Sequence, residues 1–105
     1  MTFKELQLIV DQISYKPKYF LDARLALEYD AVEIRLSYPA LNVENPSENI
    51  ILRSKDIILG EALKHLEEED LLKQVYCLFR TAELHELDEW FKFNGKRLKE
   101  PHKEN

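Results

Sequence analysis

From Leu71 to Phe93 the chain runs without glycine or proline, while apolar residues return every three or four positions. Only a helix repeats with that period, so roughly six helical turns are expected here. One side aligns Leu71, Val75, Leu78, Ala82, His85 and Glu89; the opposite side carries Leu72, Tyr76, Phe79, Leu84, Leu87 and Phe91. A helix apolar on most sides is either central to a fold or part of an interface. The acids Glu67 to Asp70 precede it and suit a helix N-terminus, where the macrodipole favours negative charge. Gly95 is the expected stop.

The rest of the fold has to be built around this helix. Thr2 and Glu5 have capping-box spacing, and Phe3, Leu6, Ile9, Val10 and Ile13 follow at helical intervals until Pro17. From Tyr19 the period falls to two. Leu21, Ala23, Leu25 and Leu27 alternate with Asp22, Arg24, Ala26 and Glu28; Val32, Ile34, Leu36 and Tyr38 alternate with Glu33, Arg35 and Ser37. Two such runs around Tyr29-Asp30-Ala31 predict a β-hairpin with one wet face, although residues 20–28 also have helix-forming composition. Pro39 is expected to end the second strand and 42–49 to form a loop. Ile50 to Arg53 would be a third strand, and Ser54 or Asp56 would cap a helix carrying Ile57, Ile58, Ala62, Leu63 and Leu66. The expected fold is α+β: an N-terminal helix, an antiparallel sheet of about three strands, and two C-terminal helices, the last one long. Residues 1–95 form one domain in this reading and 96–105 a polar tail.

Size and composition permit this. A chain of 105 residues, 45% of them hydrophobic, buries roughly two thirds of its unfolded surface without needing staples. No apolar run reaches the roughly 18 residues of a membrane span, and no signal-peptide pattern opens the chain, so the expected setting is cytoplasmic and free of membrane. The net charge of −5 is uneven: residues 56–94 hold ten acids against four bases. An acidic body disfavours direct nucleic-acid binding, which needs a cationic face.

Little familiar chemistry can be assembled. Two glycines cannot make a phosphate loop, no serine sits in a nucleophile elbow, and the single cysteine, Cys77, reads as a buried inert thiol. His65 reads as solvated. His85 and Glu89 lie one turn apart, close enough to bond each other or share a metal ion. His85-Glu86 opens like the zinc-protease motif, but Glu89 stands where that motif has its second histidine. With His102 as third ligand, His85, Glu89 and His102 would suit zinc or another divalent transition metal, and Glu86 would act as general base. The simpler reading is a structural His–Glu contact with no cofactor. Trp90 and Phe91 read either as core or as an interface anchor.

Thr81-Ala82-Glu83-Leu84-His85-Glu86, then Glu89, Phe91, Phe93, Gly95 and Pro101-His102, resemble a pattern in small uncharacterised bacteriophage and prophage proteins. The resemblance covers about residues 70–102, and the segment 54–69 is longer than the connection found in those proteins. It implies a phage origin, a host-cytoplasmic setting and no particular activity, and it places His85, Glu86, Glu89 and His102 on retained positions. The leading functional expectation is an accessory protein, not an enzyme, that binds a host or phage protein and modulates a host or defence factor. Trp90, Phe91 and Asp88 would form its contact patch. A metal-binding protein or metal-dependent hydrolase is the first alternative, and an acidic nucleic-acid mimic the second. Self-association is compatible with each, because the last helix carries more apolar surface than a small sheet can cover.

Overall fold

The computed structural model describes residues 1–26, 30–42, 44–45 and 47–103, with side chains described at all of these except 41 and 93–103. Helix α1 (Phe3–Gln12) starts as its capping box predicts. The Thr2 hydroxyl oxygen accepts the Glu5 amide at 3.2 Å, and the hydroxyl donates to the Glu5 carboxylate at 3.1 Å. Such a cap is worth about 1 kcal/mol to the helix it opens. Leu6 and Val10 point inward from α1 and are fully buried.

Strands β1 (Phe20–Ala26), β2 (Ala31–Leu41) and β3 (Asn49–Leu59) form an antiparallel meander in the order β1-β2-β3. Residues 20–26 are therefore strand rather than helix, and Leu27 to Tyr29 lie outside the described residues. Pairing of Ala23 with Ile34 and of Val32 with Ile58 puts the core residues of all three strands on one face. Val32, Ile34, Leu36 and Tyr38 of β2 are its centre. The other face is mixed: Asp22, Arg24, Glu33, Arg35 and Lys55 lie beside the exposed side chains of Phe20, Ile51, Ile57 and Leu59. There Glu33 is nonetheless buried, with Arg35 at 3.1 Å, Lys55 at 3.8 Å and Arg24 at 4.0 Å from its carboxylate.

Three sequence expectations give way here. Pro39 does not end β2; it pairs with Ile51, and the strand continues to Leu41. The last β1 pair is Phe20 with Ser37, so at Pro39 β2 is an edge on the β1 side, where a sheet tolerates a residue without N–H. The segment Ser54–Ile58 does not begin a helix but extends β3, with Leu52, Ser54, Asp56 and Ile58 directed to the helix side. Alternation of burial along β3 shows the two-residue period that its mixed polarity hides. Helix α2 (Gly60–Lys64) is only five residues long and has no side-chain cap. Instead the Gly60 amide donates to the Asp30 carbonyl at 2.7 Å, and the Asp30 carboxylate presses so close that a β-carbon on Gly60 would collide with it.

Helix α3 (Glu68–Lys103) has Glu68, Glu69 and Asp70 in its first turn, as the acidic run predicts. Leu71, Val75, Leu78 and Ala82 face the sheet and are buried with α1 in one core. The helix passes through Gly95 instead of stopping there. No glycine among the described residues adopts positive φ, so Gly95 does not form the left-handed cap that would end the helix; passing through it costs about 1 kcal/mol. Cys77 is exposed, not buried, because it lies about 100° around the helix from Leu78 and on the far side from Val75. The resulting molecule is elongated, 60 × 25 × 23 Å with a radius of gyration of 17.8 Å, against about 13 Å for a compact domain of this size. Among the described residues no helix is long and apolar enough to cross a membrane.

Candidate functional site

The connection from α1 to β1 folds against the middle of α3 and brings together aromatic residues that sequence spacing does not relate. Tyr19 stacks on Phe79, with ring centroids 6.0 Å apart and planes within 7°. Tyr38 lies 5.8 Å from Tyr19, and Tyr15 lies 5.3 Å from Phe79. The Lys16 ammonium covers the outer side, 5.3 Å from the Tyr19 ring and 5.5 Å from the Tyr15 ring, distances at which the cation is attracted to each ring. This cluster fixes the position of Pro17 and Lys18 opposite α3.

Between them lies a groove of about 520 Å³, walled by Pro17, Tyr19, Pro39, Ala40 and Trp90, with Lys16, Lys18 and Asn49 at its sides and Glu86 and Glu89 along the helix. Such a surface, apolar with a few convergent polar groups, is the usual form of a binding site. Trp90 is 46% exposed and meets Phe91 edge to face at 5.1 Å. Both residues are thus at the surface and not in the core. Asp88 lies on the outer part of the same turn and pairs with Lys92 at 3.1 Å. Asp88, and after it Glu89, raise the Lys92 pKa.

Glu86 faces the buried Tyr19 hydroxyl, which makes no hydrogen bond of good geometry. Burial first, and the Glu86 carboxylate second, push that hydroxyl well above the usual tyrosine value. Interaction with Glu83, followed by partial burial, raises Tyr15 as well. A group whose folded pKa is raised contributes stability below its unfolded pKa and loses it as pH climbs toward the folded value. Tyr19 ionises near pH 10 in the unfolded chain, so stability should fall as pH rises above about 10. The Tyr19→Phe variant should show a clearly shallower alkaline loss in urea titrations at pH 9 and 11. An unchanged slope would mean that Tyr19 is not held in its neutral form.

His85 and Glu89 also come together, with Nε2 at 3.9 Å from the carboxylate, too long for a hydrogen bond. The His85 ring meets Tyr38 edge-on at 6.1 Å, and its Nδ1 is buried without a partner. Lys92 lies 3.7 Å from the same Glu89 oxygen. Among the described residues no group of three histidine, cysteine or acidic side chains is placed to hold a metal ion. The third ligand expected from the sequence, His102, falls outside the residues whose side chains are described. Glu86, the expected general base of such a site, points toward Tyr19 and the groove. His65 is exposed, as its charged neighbours suggest.

The α3 half of this site is legible in the sequence, since Glu86, Glu89 and Trp90 share a stretch of helical periodicity. Tyr15, Tyr19, Pro17 and Pro39 are not, because only the tertiary fold carries them to α3. Comparison of the chain with family models, with curated proteins and with solved structures gives no match.

Proposed function

We propose that this protein acts by binding another protein, and that the groove between Tyr19 and Trp90 is where it does so. The observation that carries this reading is the groove's composition: two aromatic rings and two prolines, with the carboxylates of Glu86 and Glu89 on the helix side and the ammonium groups of Lys16 and Lys18 on the other. An extended segment bearing an apolar side chain, with charged residues of both signs beside it, fits that surface chemically. Aromatic and proline walls suit an extended backbone, and a charge-assisted bond to a carboxylate fixes its register. The resemblance of residues 81–95 to small phage and prophage proteins supports placing the protein in a bacterial host's cytoplasm. The partner is then a host or phage protein, and the action is modulation of a host or defence factor.

Trp90 is the chain's one tryptophan, so its fluorescence reports on the groove directly. Peptides selected from a random library on the immobilised protein should carry an apolar residue flanked by charged ones and shift that emission. Trp90→Ala should weaken them at least about tenfold, the loss of roughly 1.4 kcal/mol expected for a modest aromatic anchor. Its circular dichroism and melting should stay near those of the parent, because the side chain is half exposed. Selected peptides that bind Trp90→Ala equally well would sink the assignment.

A further inference from the structure

We propose that α3 pairs with the α3 of a second copy of this chain, antiparallel, about a twofold axis near Leu84. The surface adjoins the Tyr19–Trp90 groove, with Lys16, Glu86 and Trp90 at the border of both, but the proposal rests on other residues and stands independently of it. Leu84, Leu87 and Phe91 are spaced by three and four along the helix and are 54%, 52% and 57% exposed. Tyr76, two turns before Leu84, is 62% exposed. At 100° per residue these four side chains fall within a sector of about 80° on the side of α3 turned away from Leu71, Val75, Leu78 and Ala82. No strand or helix among the described residues covers that sector.

Charge selects the occupant. Arg80 and Asp88 stand four residues before and four residues after Leu84, with opposite signs. Two antiparallel helices crossing at Leu84 bring each Arg80 beside the partner copy's Asp88, twice by symmetry. A parallel pair would set Arg80 against Arg80 and Asp88 against Asp88, which is repulsive. Among the described residues Arg80 has no ion pair, whereas Asp88 is shared only with Lys92 on its own helix. The sequence around Leu84 is thus complementary to its own reverse. A twofold interface requires that property, because each residue contacts the surface its symmetry mate presents.

Sedimentation equilibrium of the full chain should show a dimer that dissociates on dilution. Leu84→Lys should give a monomer with unchanged circular dichroism. Arg80→Asp should weaken the dimer about tenfold, the effect of one juxtaposed like-charge pair per copy. Adding Asp88→Arg to Arg80→Asp should restore it, since the swapped charges face each other again. Orientation has its own readout in the exposed Cys77. In the antiparallel pair the two Cys77 thiols are offset by about 21 Å along the axis, so mild oxidation should leave them unlinked; in a parallel pair they would be adjacent and would crosslink. A monomer at several hundred micromolar, a dimer indifferent to Leu84→Lys, a charge swap that fails to rescue, or a Cys77 disulfide would each overturn the proposal.

Discussion

Ile34→Ala is expected to cost between about 2 and 5 kcal/mol of folding stability, toward the upper part of that range. Ile34 is fully buried at the middle of the central strand. Its sheet neighbours on the covered face are Ala23 on β1 and Asp56 on β3. Neither can fill the space a lost sec-butyl group leaves: alanine is too small, and an aspartate carboxylate resists transfer into an apolar gap. Helix α3 cannot settle into the space freely either, because Leu71, Val75 and Leu78 are buried against other parts of the same sheet. Domains of this kind are held by only about 5–15 kcal/mol, so this one change should remove a large share. Urea unfolding should give a much lower midpoint with the parent slope, while Ile34→Val should cost only about 0.5–1.5 kcal/mol. A loss under about 1 kcal/mol for the alanine variant would mean that the sheet and α3 are not packed as described.

Loss of Glu33 should have the next largest effect, about 2–3 kcal/mol for Glu33→Ala. Among the described residues several ion pairs join exposed side chains one helical turn apart, such as Glu61 with Lys64, and contribute little. Glu33 differs because its side chain is only 10% exposed and three cations share it. Removing it leaves Arg24, Arg35 and Lys55 facing one another with no anion at their centre; Asp22 reaches only Arg24. The melting temperature should drop by roughly 10 °C or more, at about 4–8 °C per kcal/mol for a chain of this size. Since part of the penalty is repulsion among exposed cations, about 1 M salt should recover some of it. Replacing Glu33 and Arg35 together by apolar residues of similar volume should cost less than Glu33→Ala alone. A melting shift no larger than that of Lys64→Ala would show that the buried carboxylate is not what holds this face.

The elements that sequence reading locates correctly are those whose local signals and tertiary surroundings agree. Thr2 and Glu5 cap α1, Val32 to Tyr38 alternate because helices cover one side of β2 only, and the acids before Leu71 sit in the first turn of α3. The second half of β3 is where they disagree. Ser54, Asp56, Ala62 and Leu63 carry helix-start and helix-period signals, yet pairing of Lys55 with Arg35 and of Ile57 with Glu33 draws the segment into the sheet. Its inward positions include Ser54 and Asp56, polar residues that the apolar pattern cannot flag, because an edge strand is only partly covered. Pro39 misleads for a related reason: its cost in a sheet depends on whether a neighbouring strand needs its amide, and that is a property of where β1 begins. The site divides in the same way. The spacing that joins His85 to Glu89 is local and visible, whereas the wall made by Tyr19 and Pro39 requires strand register and the α1–β1 connection to be known first.

Helix α3 is one element by its backbone but two by its surroundings. Through Ala82 its inward side chains are sealed against the sheet, while beyond it His85 and Glu89 on the same face are only partly buried. Backbone amides of the first part should exchange with deuterated solvent only when the whole domain opens. Those of the distal part can exchange by local fraying, about tenfold faster for every 1.4 kcal/mol by which that opening is easier. Deuterium uptake along this single helix is therefore a ruler for how far the sheet's protection extends. A molecule that grips the distal turns should slow uptake there and leave the amides of Leu71 to Leu78 as they were.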